Sequence, residues 1–287
     1  MTDYSLGCKL PAEEWAYLNR TAVFNDPALR QFVSPFPPKA LMQNTTGLTS
    51  DLDFASHGAD FWLAFSQAST KPLSEYASIL DFGCGCGRFA RMFKGHAGYI
   101  AGCDIDRRHI EWCSSALQHM STKLSYVKPP IPFADNEFEA VISISIFTHL
   151  NESSQDQFLQ ELARVTRPDG LLFLTVHGSR ALERAISEPS IKAMLDVRED
   201  LFQAAKAKFA DGQYAFILQQ GHLTTAGNPT LTGLSTEKAI PEPFEYGITF
   251  IPEKYLRIHW GQWFDVVDYR VGALHDFQDI VLLKPKK

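Results

Sequence analysis

The sequence predicts an α/β protein built on a doubly wound, mostly parallel, seven-stranded sheet with an antiparallel closing strand. Three observations carry that expectation. From residue 78 onward, short apolar runs alternate with amphipathic helical stretches, the pattern of parallel strands covered on both faces. The first apolar run, Ile79-Leu80, ends on Asp81 and is followed by glycines at 83, 85 and 87. Near the end, Phe264 to Arg270 and Gln278 to Lys284 alternate as two strands whose link is too short for a right-handed crossover, so they pair antiparallel.

The elements follow in order. Ser78 to Asp81 reads as the first strand, and Arg88 to Lys94 as a short helix with Phe89, Met92 and Phe93 inward and Gly95 at its end. Tyr99 to Cys103 is the second strand. Arg107 to Met120 is a helix in which Ile110, Cys113, Leu117 and Met120 recur at helical spacing, with Asp106 placed as N-cap. Leu124 to Val127 reads as a third strand and Ala140 to Phe147 as a long fourth. Gln155 to Val165 is a helix with Phe158, Leu159, Leu162 and Val165 on one face, and Arg167 to Gly170 is a turn into the fifth strand, Leu171 to His177. Before the sheet, residues 1–77 are expected to form an N-terminal cap, with a helix near Ala59 to Ala68. The domain proper is 78–287, with an insertion at about 178–250. That insertion combines a helical stretch, Ser190 to Phe209, with Tyr214 to Leu218 and the Gly/Thr/Pro-rich Gly221 to Pro243, and it reads as a lid.

Glycines after a strand permit backbone angles that other residues disfavour and allow close approach of a ligand. The spacing is not the Gly-x-Gly-x-x-Gly of a dinucleotide fingerprint. The order Asp81-x-Gly83-x-Gly85-x-Gly87 instead resembles the first motif of class I S-adenosylmethionine-dependent methyltransferases. Asp104 ends the second strand 21 residues after Gly83, where doubly wound sheets place the acid that takes ribose hydroxyls. Pro130 to Ser143 resembles the family's loop before the fourth strand, with Glu139 for the usual Asp. Ser145 to Leu150 resembles the stretch beside the sulfonium, and Leu162 to Gly170 the helix and turn before the fifth strand. The resemblance implies a Rossmann-like methyltransferase fold and S-adenosyl-L-methionine as cofactor. It assigns the amino-acid end to Asp81, Gly83, Cys84, Gly85, Gly87 and Arg88, the sugar to Asp104 and Ile105, adenine to the Val127 backbone, and the methyl-donor end to Ser145.

Composition narrows the partners. A net charge of -6 without long basic runs disfavours a dedicated nucleic-acid binder and favours a small-molecule substrate. No apolar run is long enough to span a bilayer and the first residues lack a basic, apolar leader, so a cytoplasmic location is expected, with no membrane partner. The cysteines Cys8, Cys84, Cys86, Cys103 and Cys113 show no paired Cys-x-x-Cys knuckles, and no metal is expected. Methyl transfer needs a base only when the acceptor is protonated and weakly nucleophilic. His149, after the fourth strand, and His177, ending the fifth, are the candidates; His222, His259 and Tyr246 rank below them, and Trp260 and Trp263 read as core. The leading expectation is methyl transfer to an oxygen, nitrogen or carbon nucleophile of a small molecule. A catalytically silent cofactor-binding subunit and a nicotinamide oxidoreductase on the same fold class stay open. Acceptor identity and oligomeric state have no sequence signal.

Overall fold

A computed structural model describes residues 2–219 and 245–286. His222 and the Gly/Thr/Pro-rich stretch at 221–243 lie outside the described residues. The described chain forms two compact units, 2–126 and 127–219 with 245–286.

In the first unit, helices α1 (Ala12–Tyr17), α2 (Lys39–Thr46) and α3 (Asp51–Ala68) precede strands β1 (Ser78–Phe82) and β2 (Tyr99–Asp104), helix α4 (Arg107–Ala116) and strand β3 (Ser121–Leu124). Helix α3 is longer than the expected segment because Ser50 caps its start, its hydroxyl accepting from the Asp53 N–H. It buries Phe54, Phe61, Trp62 and Phe65. The N-terminal residues are fastened to the stretch after the glycine loop: Trp15 Nε1 donates to the Met92 carbonyl at 2.7 Å and Arg91 Nη2 to the Ser34 carbonyl at 2.6 Å. A Cβ at Gly58 would come within 2.8 Å of the Arg88 carbonyl, so this position of α3 has room only for glycine.

The second unit holds β4 (Phe138–Ser143), α5 (Glu152–Val165), β5 (Thr166–Val176), α6 (Ser179–Ser187), α7 (Pro189–Leu195), α8 (Glu199–Ala210), β6 (Ala215–Leu218), β7 (Gly247–Phe250), α9 (Glu253–His259), β8 (Phe264–Leu274) and β9 (Gln278–Pro285). Arg164 of α5 clamps the proline-phenylalanine loop, donating to the Phe133 carbonyl at 2.9 Å and to Asp135 Oδ1 at 2.7 Å. Trp260 is fully buried against Phe147, in the core as expected.

Seven strands form one sheet in the order β3-β2-β1-β4-β5-β9-β8, and β6 pairs with β7 separately. β9 runs antiparallel to both β5 and β8, so the closing pair is as the alternation implied. The α/β, mostly parallel, seven-stranded expectation therefore holds.

Several boundaries differ. The third strand lies three residues earlier than expected, over Ser121–Leu124, and Val127 falls beyond it. This is an edge strand of half-exposed polar residues, without the apolar run that marks a buried strand. The fourth strand stops at Ser143 because Ser145 takes a left-handed conformation, φ 60°, and turns its N–H to Thr175 Oγ1 at 2.8 Å. Arg167 to Gly170 is not a separate turn but part of β5: Phe138 pairs with Thr166 and Ala140 with Leu171, so the extra residues bulge out of one continuous strand. Helix α4 ends at Ala116, and Leu117 leaves helical geometry to pack over Gly87. Arg88 to Lys94 contracts to a 3-10 turn, Ala90–Phe93, although Phe89, Met92 and Phe93 are buried. The stretch from Ser190 to Phe209 is two helices, broken at Asp196 with φ 49°.

Candidate functional site

The glycine loop hangs from the end of β2. The N–H groups of Gly83 and Cys84 both donate to the Cys103 carbonyl, at 2.9 and 3.0 Å. Gly83, Gly85 and Gly87 all have positive φ, at 77°, 51° and 82°, which explains the alternation of glycines. At two of them a Cβ would also collide with the protein's own side chains: Gly85 with Thr45 Cγ2 at 2.4 Å, and Gly87 with Leu117 Cδ1 at 2.4 Å. Close approach of a ligand is thus not what these two glycines require; their own packing already excludes a side chain.

Two carboxylates flank the loop and differ in their surroundings. Asp81 is buried, its Oδ2 has no hydrogen-bond partner, and burial followed by the charge of Asp104 pushes its pKa up to about 7, against the opposing pull of Arg88 and the Ala90 N–H. Asp104 is held from both sides: Oδ2 accepts from the Gly85 N–H at 2.9 Å and Oδ1 from the Asp106 N–H at 2.8 Å. A carboxylate offers about four lone-pair positions, so each oxygen keeps one for a further donor. Ile105 follows, half-buried, and Asp106 caps α4 as expected, accepting from the Arg108 N–H at 2.9 Å.

Arg88 sits over the Phe61 ring at 4.5 Å; burial lowers its pKa to about 10, so it remains a cation at neutral pH. The five cysteines are free and buried. Burial pushes the Cys86 thiol up to about 12, and a hydrogen bond with Cys113 followed by burial holds Cys84 well above the ordinary thiol range, so both stay protonated. Cys113 Sγ instead donates to the Gly85 carbonyl at 3.4 Å, steadying the loop.

In the second unit, β7 is stitched to the segments following β4 and β5. The Gly247 N–H donates to the His149 carbonyl at 3.2 Å, the Thr249 N–H to the Thr148 carbonyl at 2.9 Å, and the Ile251 N–H to the His177 carbonyl at 2.9 Å. His149 Nδ1 lies 2.8 Å from the Gly247 carbonyl, which can only accept, so the proton sits on Nδ1 and Nε2 carries the lone pair. The ring stacks on Tyr246 with centroids 4.4 Å apart, and burial holds the Tyr246 hydroxyl well above the ordinary phenol range. His177 is 6.5 Å from His149, walled by Phe250 and Phe277. Burial, then the neighbouring His149, lowers its pKa to about 3; it is a neutral imidazole and a weak base. Ser145 exchanges hydrogen bonds with the Gln278 amide at 3.1 and 2.8 Å.

Two of these features had no sequence signal of their own: Thr45, which faces the loop from α2, and the Gly247 carbonyl that sets the His149 tautomer. Each acts across a long stretch of chain. His109, which lies 3.5 Å from Asp104 Oδ1, was also missed, although its place at the start of the helix after Asp104 is a sequence signal.

Comparison with known proteins agrees with this geometry. Residues 80–174 match the family model described as a methyltransferase domain. A tRNA (carboxymethyluridine(34)-5-O)-methyltransferase of Arabidopsis thaliana is 32% identical over 34% of this chain and 23% of its own length. Methyltransferase GfsG of Streptomyces halstedii is 26% identical over 42% of this chain and 53% of its own. The chain thus matches between about a quarter and a half of these relatives' length. Among solved structures, a Pyrococcus horikoshii protein aligns with a TM-score of 0.56 at 14% identity, over 85% of this chain and 96% of its own. The Burkholderia thailandensis 1,6-didemethyltoxoflavin-N1-methyltransferase, solved with bound 1,6-didemethyltoxoflavin and S-adenosylhomocysteine, aligns with a TM-score of 0.50 at 12% identity over 96% of this chain and 91% of its own. Both share the fold. With the Asp81 glycine loop, the acid ending β2 and the sheet order, the match over residues 80–174 supports a class I S-adenosylmethionine-dependent methyltransferase domain in this chain.

Proposed function

We propose that this protein transfers the methyl group of S-adenosylmethionine to a small-molecule acceptor, with His149 as general base. The observation that carries the cofactor assignment is Asp81: a buried carboxylate oxygen without a partner is costly unless a cation comes to it, and the ammonium of the cofactor's amino-acid end is such a cation. Asp104, with one position left on each oxygen, suits the two ribose hydroxyls. Gly83, Cys84, Gly85, Gly87 and Arg88 would frame the amino-acid end, Ile105 the sugar, the Val127 backbone the adenine and Ser145 the methyl-donor end.

When bound, the sulfonium makes its methyl carbon electrophilic, and transfer is an in-line displacement. The chain's own task is to align the acceptor, exclude water and remove one proton. His149 fits the last role because the Gly247 carbonyl holds its proton on Nδ1 and so makes Nε2 the basic nitrogen, whereas His177 is held too weakly basic. His177 is better suited to shape the pocket wall with Phe250 and Phe277. Residues 1–77 as a cap, and the insertion at about 178–250 as a lid, would select the acceptor; the bonds from β7 to Thr148, His149 and His177 support that role for the insertion.

A small acceptor is favoured over a nucleic acid by the net charge of -6. Calorimetry with S-adenosylmethionine and S-adenosylhomocysteine tests the cofactor reading, and absence of binding to both would overturn it. Radiolabelled methyl transfer to a metabolite library, run beside bulk tRNA, tests the acceptor class; label entering tRNA alone would refute the small-molecule reading.

A further inference from the structure

His109, on the first turns of α4, takes no part in the assignments above, yet it is buried beside the acid proposed to take the ribose. Its protonation can be read from its neighbours. Thr45 Oγ1 donates its only proton to the Leu41 carbonyl at 2.9 Å, so at 2.9 Å from His109 Nε2 the hydroxyl must accept. Nε2 therefore carries a hydrogen. The other ring nitrogen, Nδ1, is buried and lies 3.5 Å from Asp104 Oδ1, too long for a strong hydrogen bond but close enough for an ion pair. A neutral ring would then point a bare lone pair at a carboxylate oxygen in a low-dielectric site. A second proton turns that repulsion into attraction.

The charged groups around the ring agree. Asp104 faces it from the end of β2, and Asp106 and Arg108 flank it at the head of α4. Asp81, on β1, faces Asp104. From α2 come the neutral Thr45 and Asn44, the latter accepting from Arg108 Nη2 at 3.3 Å. Arg108 is itself engaged by Asp106. Burial alone would lower the His109 pKa, but the Asp104 contact and then Asp106 outweigh it and hold the pKa above the ordinary histidine value.

We infer that His109 is a positioning residue for the sugar end of the cofactor: as an imidazolium it holds the Asp104 carboxylate in place, and adenosine binds more tightly with His109 protonated than with it neutral. This rests on the cofactor reading above and goes beyond it by naming the group that holds the ribose acid in position.

The test uses adenosine, which lacks the amino-acid end that Asp81 would hold, and it reads the difference between wild type and variant, because Asp81 titrates near 7 beside Asp104 in both. Calorimetry on the full chain from about pH 6 to 9 should show affinity falling about five-fold or more as His109 deprotonates, a modest coupling between sites. His109→Gln, which can still donate to Thr45, should bind more weakly than the wild type at about pH 6 and lose this part of the pH dependence. Coincident profiles for the wild type and the Gln variant would overturn the inference. In parallel, an NMR titration of the histidine rings, with His109 assigned by through-bond correlation to its backbone in the labelled wild type, should place its pKa above the usual value, and Asp104→Asn should bring it down. A pKa unmoved by Asp104→Asn would refute the pairing even if His109→Gln fails to fold. If neither adenosine nor S-adenosylhomocysteine binds at any pH, the cofactor reading fails and with it the adenosine effect, while the NMR arm still decides whether His109 and Asp104 form a pair.

Discussion

Replacing Asp81 with Asn should make the ligand-free protein more stable above neutral pH while destroying its affinity for the cofactor. Asp81 is 3% exposed and its carboxyl is raised from 3.8 to about 7, burial being the main cause and Asp104 the second. An acid whose folded-state pKa lies above its unfolded one is bound to its proton more tightly in the fold. Stability therefore falls as pH rises from about 4 to about 7, and the full penalty applies above that. The span corresponds to about 4 kcal/mol. The Asn side chain keeps an oxygen for the Ala90 N–H but places an amide where Oδ2 now lacks a partner, a cost of about 1–3 kcal/mol. The net gain expected at about pH 8 is thus about 1–3 kcal/mol. Urea unfolding of both proteins at intervals from about pH 4 to 8 reads this directly, because titrations shared by the two proteins cancel in the difference. Parallel stability curves over that window would refute the reasoning, since they would mean Asp81 ionises in the fold as it does in the unfolded chain. S-adenosylhomocysteine should reverse the order, stabilising the wild type and leaving the variant unmoved.

His149→Ala should lower kcat by about 100-fold or more if a protonated acceptor is used, while affinity for S-adenosylhomocysteine stays unchanged; steady-state rates and calorimetry on the same preparations check it. His177→Phe should flatten the acid limb of stability: a histidine lowered to about 3 costs the fold about 3 kcal/mol as pH falls from 6.5 to about 4, and denaturation at about pH 4 to 7 should show that loss only in the wild type. Gly85→Ala should destabilise by about 1–3 kcal/mol, from a strained φ of 51° and a Cβ 2.4 Å from Thr45 Cγ2. Adding Thr45→Ser, which removes that methyl, should restore part of the loss in a thermal melt.

How far the sequence carried depends on whether a feature is set locally or across the fold. The glycine loop, the Asp106 cap and the closing strand pair were legible because each is fixed within a few residues: positive φ selects glycine, an orphan N–H selects a short acid, and a short link forces antiparallel pairing. β3 lies outside the apolar pattern because an edge strand of Ser121, Thr122 and Lys123 carries no apolar signature, and the bulge of β5 has the sequence of a turn because Pro168 and Gly170 mark both. The charge states had no local signature at all. Asp81 and Asp104 are the same residue type, each at the end of a parallel strand, yet one oxygen of Asp81 is left bare while both oxygens of Asp104 receive backbone N–H groups and a histidine stands beside them. The partners that make this difference come from as far as Thr45, 64 residues before His109. The Gly247 carbonyl that selects the His149 tautomer lies 98 residues away in sequence. Sequence motifs in this chain thus specify where the backbone bends toward a ligand, while the protonation on which binding and catalysis turn is imposed by tertiary packing, and so the two acids should respond oppositely to amidation: Asp81→Asn relieves the ligand-free fold, whereas Asp104→Asn leaves His109 without its counter-ion.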